Sequence, residues 1–191
     1  MPVTTIDPRP ALIVIDLQQG IVAAHQGEAM NAVVHHAASL AAAFRRHDLP
    51  VVLVNVVGRA SGRTEAGWSG GVSAPPAGWA DLVDDLDAHP SDHLISKRRR
   101  SAFHDTGLDT YLRDLNVTQV VLAGVSTSAG VESTARSAAD HSYHVVLATD
   151  AMTDPDPESH DHSIHRVFPK LGETATSAEI VTLLNTSRTK P

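Results

Sequence analysis

The chain has 191 residues, 42% hydrophobic and 19% charged, with a formal charge of −7 and no cysteine. That length suits one domain over residues 1–191 with a buried core and leaves little room for a second. The acidic balance argues against nucleic acid or anionic membrane as a partner, and the missing cysteine removes disulfides, thiolate metal sites and a thiol nucleophile together.

The opening "MPVTTIDPRP" lacks the apolar core of a signal peptide, so a cytoplasmic location is expected. "ALIVIDL" (11–17) is a near-continuous apolar run, the pattern of a strand covered on both faces, and it closes on Asp16. "NAVVHHAASLAAAFRRHD" (31–48) is alanine-rich, has apolar residues at helical spacing and stops before Pro50. "PVVLVNVV" (50–57) reads as the second strand. The stretch 58–79, "GRASGRTEAGWSGGVSAPPAGW", is long and irregular and holds both tryptophans, Trp68 and Trp79. A loop of this length at the carboxyl end of a strand is expected to cover a substrate. Arg59 and Arg63 are its candidates for binding a substrate carboxylate, against a reading as solvated loop arginines. Trp68 and Trp79 are lid anchors or subunit contacts.

"HLISK" (93–97) is a third strand, ending in Lys97 and running into a basic "KRRR" that, taken alone, reads as a solvated run. His104 in "SAFHDT" either lines the pocket or marks helix entry. Thr106 is placed to cap a helix over 106–116 with Leu108, Leu112 and Leu115 on one face. Strand "QVVLAGV" (119–125), helix "GVESTARSAADHS" (130–142) and strand "HVVLATD" (144–150) follow, and Glu132 and Arg136 form an i, i+4 pair. A helix over 158–168, a weak strand at 172–176 and a helix over 177–185 behind a Ser177 cap end the pattern, leaving "TSRTKP" as a frayed terminus. Alternation of strand and helix predicts an α/β fold, a Rossmann-like parallel six-stranded sheet with helices on both faces.

In such a sheet the carboxyl ends of the strands share one edge, so Asp16, Lys97 and the 125–130 turn are expected in one pocket. Lys97 would keep the Asp16 carboxylate ionised, while burial would oppose this. The helix start near Gly130 presents free N–H groups to an anion. Ser126, Thr127 and Ser128 read as turn formers and helix caps rather than nucleophiles, since their hydroxyls are far less acidic than a thiol and would need a positioned base. His160, His162 and His165 do not make a clean ligand set, so they are assigned to a surface or subunit-contact helix, and no metal or other cofactor is expected.

"ALIVIDLQQG", "SKRRRSAFHDTGLDTYLRDL" and "VVLAGVSTSAGVESTARSAADHSYHVVLATDAMTD" resemble, in order and spacing, the three signature blocks of the isochorismatase-like (cysteine hydrolase) superfamily. The resemblance implies the six-stranded fold above, assembly as a homodimer or homotetramer, and hydrolysis of a small-molecule substrate: C–N bonds of small amides, or the vinyl ether of isochorismate. The amidase branch uses an Asp–Lys–Cys triad, which carries across to Asp16, Lys97 and Gly130. The resemblance also implies a non-proline cis peptide at the oxyanion turn, at Val125–Ser126. With Gly130 at the nucleophile's place, it points to the cysteine-free branch, in which Asp16 acts as general acid on an anionic, vinyl-ether type substrate. "STSAG" lacks the aromatic and histidine of the isochorismatases proper, which argues against isochorismate itself. The alternatives are an inactive relative that binds a small molecule or protein, or an amidase whose nucleophile has been replaced.

Overall fold

The apolar runs form the middle of the molecule. In this computed structural model, which describes residues 2–58, 62, 65 and 75–188, β1 (Pro10–Ile15) and β4 (Gln119–Val125) are buried at every position. With β2 (Val51–Val56), β3 (His93–Lys97), β5 (His144–Thr153) and β6 (Glu173–Ala175) they make one parallel sheet in the order β3-β2-β1-β4-β5-β6. The order reverses between β1 and β4, and a crevice opens at the carboxyl ends of strands where such a reversal occurs. The two strands flanking that point are the ones that lead into Asp16 and the 125–130 turn.

Alternate side chains of each strand serve two separate cores. Leu12, Val14 and Leu53 pack with Phe44 of α2 (Glu28–Arg46) and Ile180 and Leu184 of α6 (Ser177–Arg188). Ala11, Ile13 and Ile15 face the other way, onto Leu108 and Leu112 of α3 (Leu108–Asp114) and Ala135 and Ala138 of α4 (Glu132–Asp140). No helix among the described residues is long and apolar enough to cross a membrane.

Several boundaries differ from the sequence expectation, each for a local reason. A short α1 (Gln19–Ala24) follows β1; its Ile21 and Val22 are only partly buried against the core, and six residues are too few to show a helical period. Leu115 lies past the last turn of α3 and is exposed rather than on the buried face. The helix expected from residue 130 already begins at Thr127, with a wide π-helical turn (Thr127–Val131) in which Val131 N–H donates to Ser126 C=O at 3.2 Å. The cap of α6 is Thr176, in a capping box with Glu179, because Ser177 is already engaged: its N–H and hydroxyl both donate to Asp150 at 2.7 Å. The helix runs to Arg188, whose guanidinium donates to the carbonyls of Asp7 and Pro8, so residues 186–188 are ordered helix rather than frayed end. The 158–168 segment is α5 (Pro157–His162), N-capped by Asp156, followed by a second π-helical turn over Ser163–Val167.

Candidate active site

Asp16 is the first residue beyond β1. Its backbone is left-handed, with φ of 54°, a conformation that Asp tolerates better than most side chains. Its N–H still donates to Val54 C=O of β2 at 2.9 Å, while its C=O accepts from Gln18 N–H at 2.9 Å. The chain therefore leaves the sheet abruptly at the carboxylate.

Lys97 is the last residue of the edge strand β3 and pairs in register with Val56. Two strand spacings, about 10 Å, separate β3 from β1, so a long side chain is needed to span the width of β2. Lys97 does so, and its Nζ lies 2.7 Å from Asp16 Oδ2. Nζ also donates to Arg99 C=O at 3.3 Å. Both residues are buried, at 5% and 2% exposure. The basic run is thus split: Lys97 points inward, Arg98 and Arg100 outward, and Arg99 is half-buried.

Two opposing influences act on the carboxyl. Burial disfavours its charge, and the Lys97 ammonium favours it through its charge and its hydrogen bond. Burial is the larger, and Asp16 is pushed up from 3.8 to about 6. Its second oxygen, Oδ1, is buried and, among the described residues, has no hydrogen-bond partner. The site therefore contains a carboxyl held above the ordinary carboxylate range, with one oxygen uncommitted.

Gly130 closes the third side. A Cβ built on it would lie 3.3 Å from Asp16 Oδ2, 3.0 Å from Ile15 Cγ2 and 3.1 Å from Val125 O. The position faces the Asp16 carboxylate, and the space beside it is small. The Gly130 carbonyl accepts from Thr134 Oγ1 at 2.7 Å, and that oxygen accepts from Ala102 N–H at 3.1 Å, which ties the segment after Lys97 to α4. The Val125–Ser126 peptide is cis.

The alcohols of the turn do not cap their own helix, because their partners come from elsewhere. Thr127 is fully buried and its hydroxyl lies 2.9 Å from His160 Nδ1. Ser128 donates through its N–H and its hydroxyl to Asp154 Oδ2, at 2.8 and 2.7 Å. Ser126 makes no side-chain cap bond. Thr127 and Ser128 are thus bonded to the segment that follows β5 rather than to the Asp16–Lys97 pair. Glu132 and Arg136 form the expected intrahelical pair, and Glu132 also accepts from Ser163 Oγ at 2.7 Å.

His104 does not line this site. Its side chain is 57% exposed and pairs with Asp105 at 3.1 Å, because the neighbouring Ala102 and Phe103 take the inward positions. Arg59, Arg63 and Trp68 lie outside the described residues. Trp79 is an anchor for the end of the long loop: its ring covers Gly20, its C=O accepts from Gly20 N–H at 2.9 Å, and Gln18 Nε2 donates to the same oxygen at 3.2 Å. A cavity of about 330 Å³ adjoins the cis peptide, with Glu28, Met30, Val125, Ser126 and Asp154 among its walls; Asp16, Lys97 and Gly130 do not line it. A larger cavity of about 490 Å³, beside Asn31, His35 and Asp84, touches none of these groups.

Sequence reasoning missed Gln18, Thr134, Asp154 and His160. Gln18 stands two residues from Asp16 but is indistinguishable in the sequence from Gln19. The other three act through partners distant in the chain.

Residues 10–179 match the isochorismatase domain. The chain is 35% identical over 178 residues to the isochorismatase family protein YwoC of Bacillus subtilis, covering 91% of this chain and 93% of that one. Its fold superposes on an isochorismatase family protein from Burkholderia thailandensis with a TM-score of 0.86 and 34% identity, over 95% and 98% of the two chains. It also superposes on N-carbamoylsarcosine amidase from Thermoplasma acidophilum, with a TM-score of 0.74 and 27% identity over 88% and 96%. The parallel six-stranded sheet, the match along most of its length and these relatives together establish that the chain belongs to the isochorismatase-like hydrolase family.

Proposed function

We propose that this hydrolase cleaves a small, anionic metabolite by proton transfer from Asp16, in the manner of a vinyl ether hydrolysis, without a covalent enzyme intermediate. The observation that carries this reading is the buried Asp16 carboxyl, held at 2.7 Å from Lys97 yet pushed up to about 6, with Oδ1 uncommitted. A general acid must hold a proton near working pH and must be able to release it. At pH 7 such a group is protonated in roughly a tenth of molecules. An anionic substrate that draws on the Lys97 ammonium would weaken its hold on the carboxylate and raise that fraction.

The step needs no group at position 130. Asp16 delivers its proton to the terminal carbon of the enol ether, and the carbon attached to oxygen becomes an oxocarbenium ion. Water adds to that ion, its surplus proton returns to the Asp16 carboxylate, and the hemiketal breaks into an alcohol and a ketone. Hydrolysis of an amide, the reaction named for the Thermoplasma relative, would by the covalent route require a side-chain nucleophile. Gly130 supplies none, Ser128 is committed to Asp154, and Thr127, although 2.9 Å from His160 Nδ1, is fully buried. The reading extends to a cytoplasmic protein working as a homodimer or homotetramer, the latter open to sedimentation analysis.

The test is a panel of vinyl ethers, amides and N-carbamoyl compounds, assayed with the wild type and Asp16→Asn. The expected result is turnover confined to vinyl ethers, lowered by about 10²-fold or more in the variant. Undiminished turnover by Asp16→Asn, or a covalent adduct in the intact mass during turnover, would overturn the proposal. Binding of a compound with no turnover of any class would assign the chain to the inactive relatives.

A further inference from the structure

When Asp16 turns out of the sheet, β2 loses its neighbour at Val56. A strand residue whose partner leaves is left with an unpaired N–H and C=O, and burying these is unfavourable. Both are satisfied by one side chain. Gln18 Oε1 accepts from Val56 N–H at 2.8 Å, and Gln18 Nε2 donates to Val56 C=O at 3.3 Å. The side-chain amide thus stands in for the peptide unit that β1 would have supplied. Gln18 is fully buried, and its Nε2 also reaches Trp79 C=O at 3.2 Å.

The surroundings show what this clamp holds. Val56 is the register partner of Lys97, and Val57 N–H donates to Lys97 C=O at 2.9 Å. Gln18 N–H closes the left-handed turn at Asp16. A strap over residues 79–83 is stitched along the same segment: Gln19 N–H donates to Asp81 C=O, Val83 N–H donates to Leu17 C=O, and Asn55 Nδ2 donates to Ala80 C=O at 2.7 Å. One amide therefore connects the ends of β1 and β2 with this strap, and through Val56 it reaches the residue that carries the ammonium.

We infer that Gln18 is a positioning residue that sets the distance and orientation of the Asp16–Lys97 pair by replacing the missing strand partner of Val56. The inference rests on that pair being the working pair of the proposed function, but its first readout does not depend on any substrate.

The experiment compares wild type, Gln18→Met and Gln18→Glu, with Leu184→Ala on α6, which takes no part in these hydrogen bonds, as a destabilised control. Methionine keeps the length and loses the amide. Glutamate keeps an acceptor for Val56 N–H but places a second oxygen against the carbonyls of Val56 and Trp79. Asp16 is followed by carbon-13 carboxyl titration in each folded protein. Its midpoint is expected to move by about one pH unit or more in both Gln18 variants and to stay in place in Leu184→Ala. With a substrate in hand, kcat is expected to fall about tenfold or more while KM changes less than about threefold. Folded Gln18 variants with an unmoved Asp16 midpoint would overturn the inference. A moved midpoint with no vinyl-ether turnover in any protein would instead sink only the proposed function. If neither variant folds, hydrogen exchange on the wild type decides: slow exchange of the Val56 amide is expected from its bond to Gln18, and fast exchange would refute the clamp.

Discussion

Replacing Lys97 by methionine removes the ammonium 2.7 Å from Asp16 Oδ2 while leaving the carboxyl buried. In the wild type the folded value of Asp16 lies above its ordinary 3.8, at about 6. The folded chain then binds more protons than the unfolded chain between these values, so stability falls as pH rises through that window. The full penalty above it is about 3 kcal/mol. In Lys97→Met the influence that lowered the folded value is gone and burial acts alone. An opposite charge at such a distance is worth about 1–3 pH units, which places the variant's midpoint at roughly 7–9. Its stability should go on falling beyond pH 6, by about 1.4 kcal/mol for each further pH unit until the new midpoint is reached. Carbon-13 titration of the Asp16 carboxyl and urea unfolding at several pH values measure both quantities. A wild-type midpoint near 4 would show that burial does not dominate, and a variant midpoint no higher than wild type would show that Lys97 does not act on Asp16. Either result removes the physical basis of the proposed acid.

Three glycines give further checks. A Cβ at Gly20 would overlap the Trp79 indole, so Gly20→Ala should cost about 1–3 kcal/mol in urea unfolding, and most of that cost should vanish in a Trp79→Ala background. Gly124 has φ of 110° and abuts the Ile15 carbonyl; Gly124→Ala should cost more than about 4 kcal/mol, and a variant that melts within a few degrees of wild type would contradict the close approach of β1 and β4. At Gly130 the neighbours of an added Cβ stand at 3.0–3.3 Å and have to give way. Gly130→Ala should therefore lose about 1–3 kcal/mol and shift the Asp16 midpoint, whereas a more stable variant would reveal room that the structure does not show.

Much of this molecule is legible in its sequence. The near-continuous apolar runs marked the strands, because a strand covered on both faces has no polar side. The alternation with helices then fixed the fold class. The end of a fully buried run placed Asp16 at the end of the sheet, whereas Lys97 ends the edge strand β3, where buried and exposed positions alternate. The opposing influences on Asp16 were also foreseeable from burial and charge. Which of them prevails was not, because it depends on how completely the folded chain excludes water from the carboxyl. Nor could sequence separate Gln18 from Gln19, turn His104 to solvent, or assign Thr127 and Ser128 to partners more than 25 residues away. Local pattern records what each segment buries; the partners of a side-chain amide, hydroxyl or imidazole are set only when distant segments are brought together.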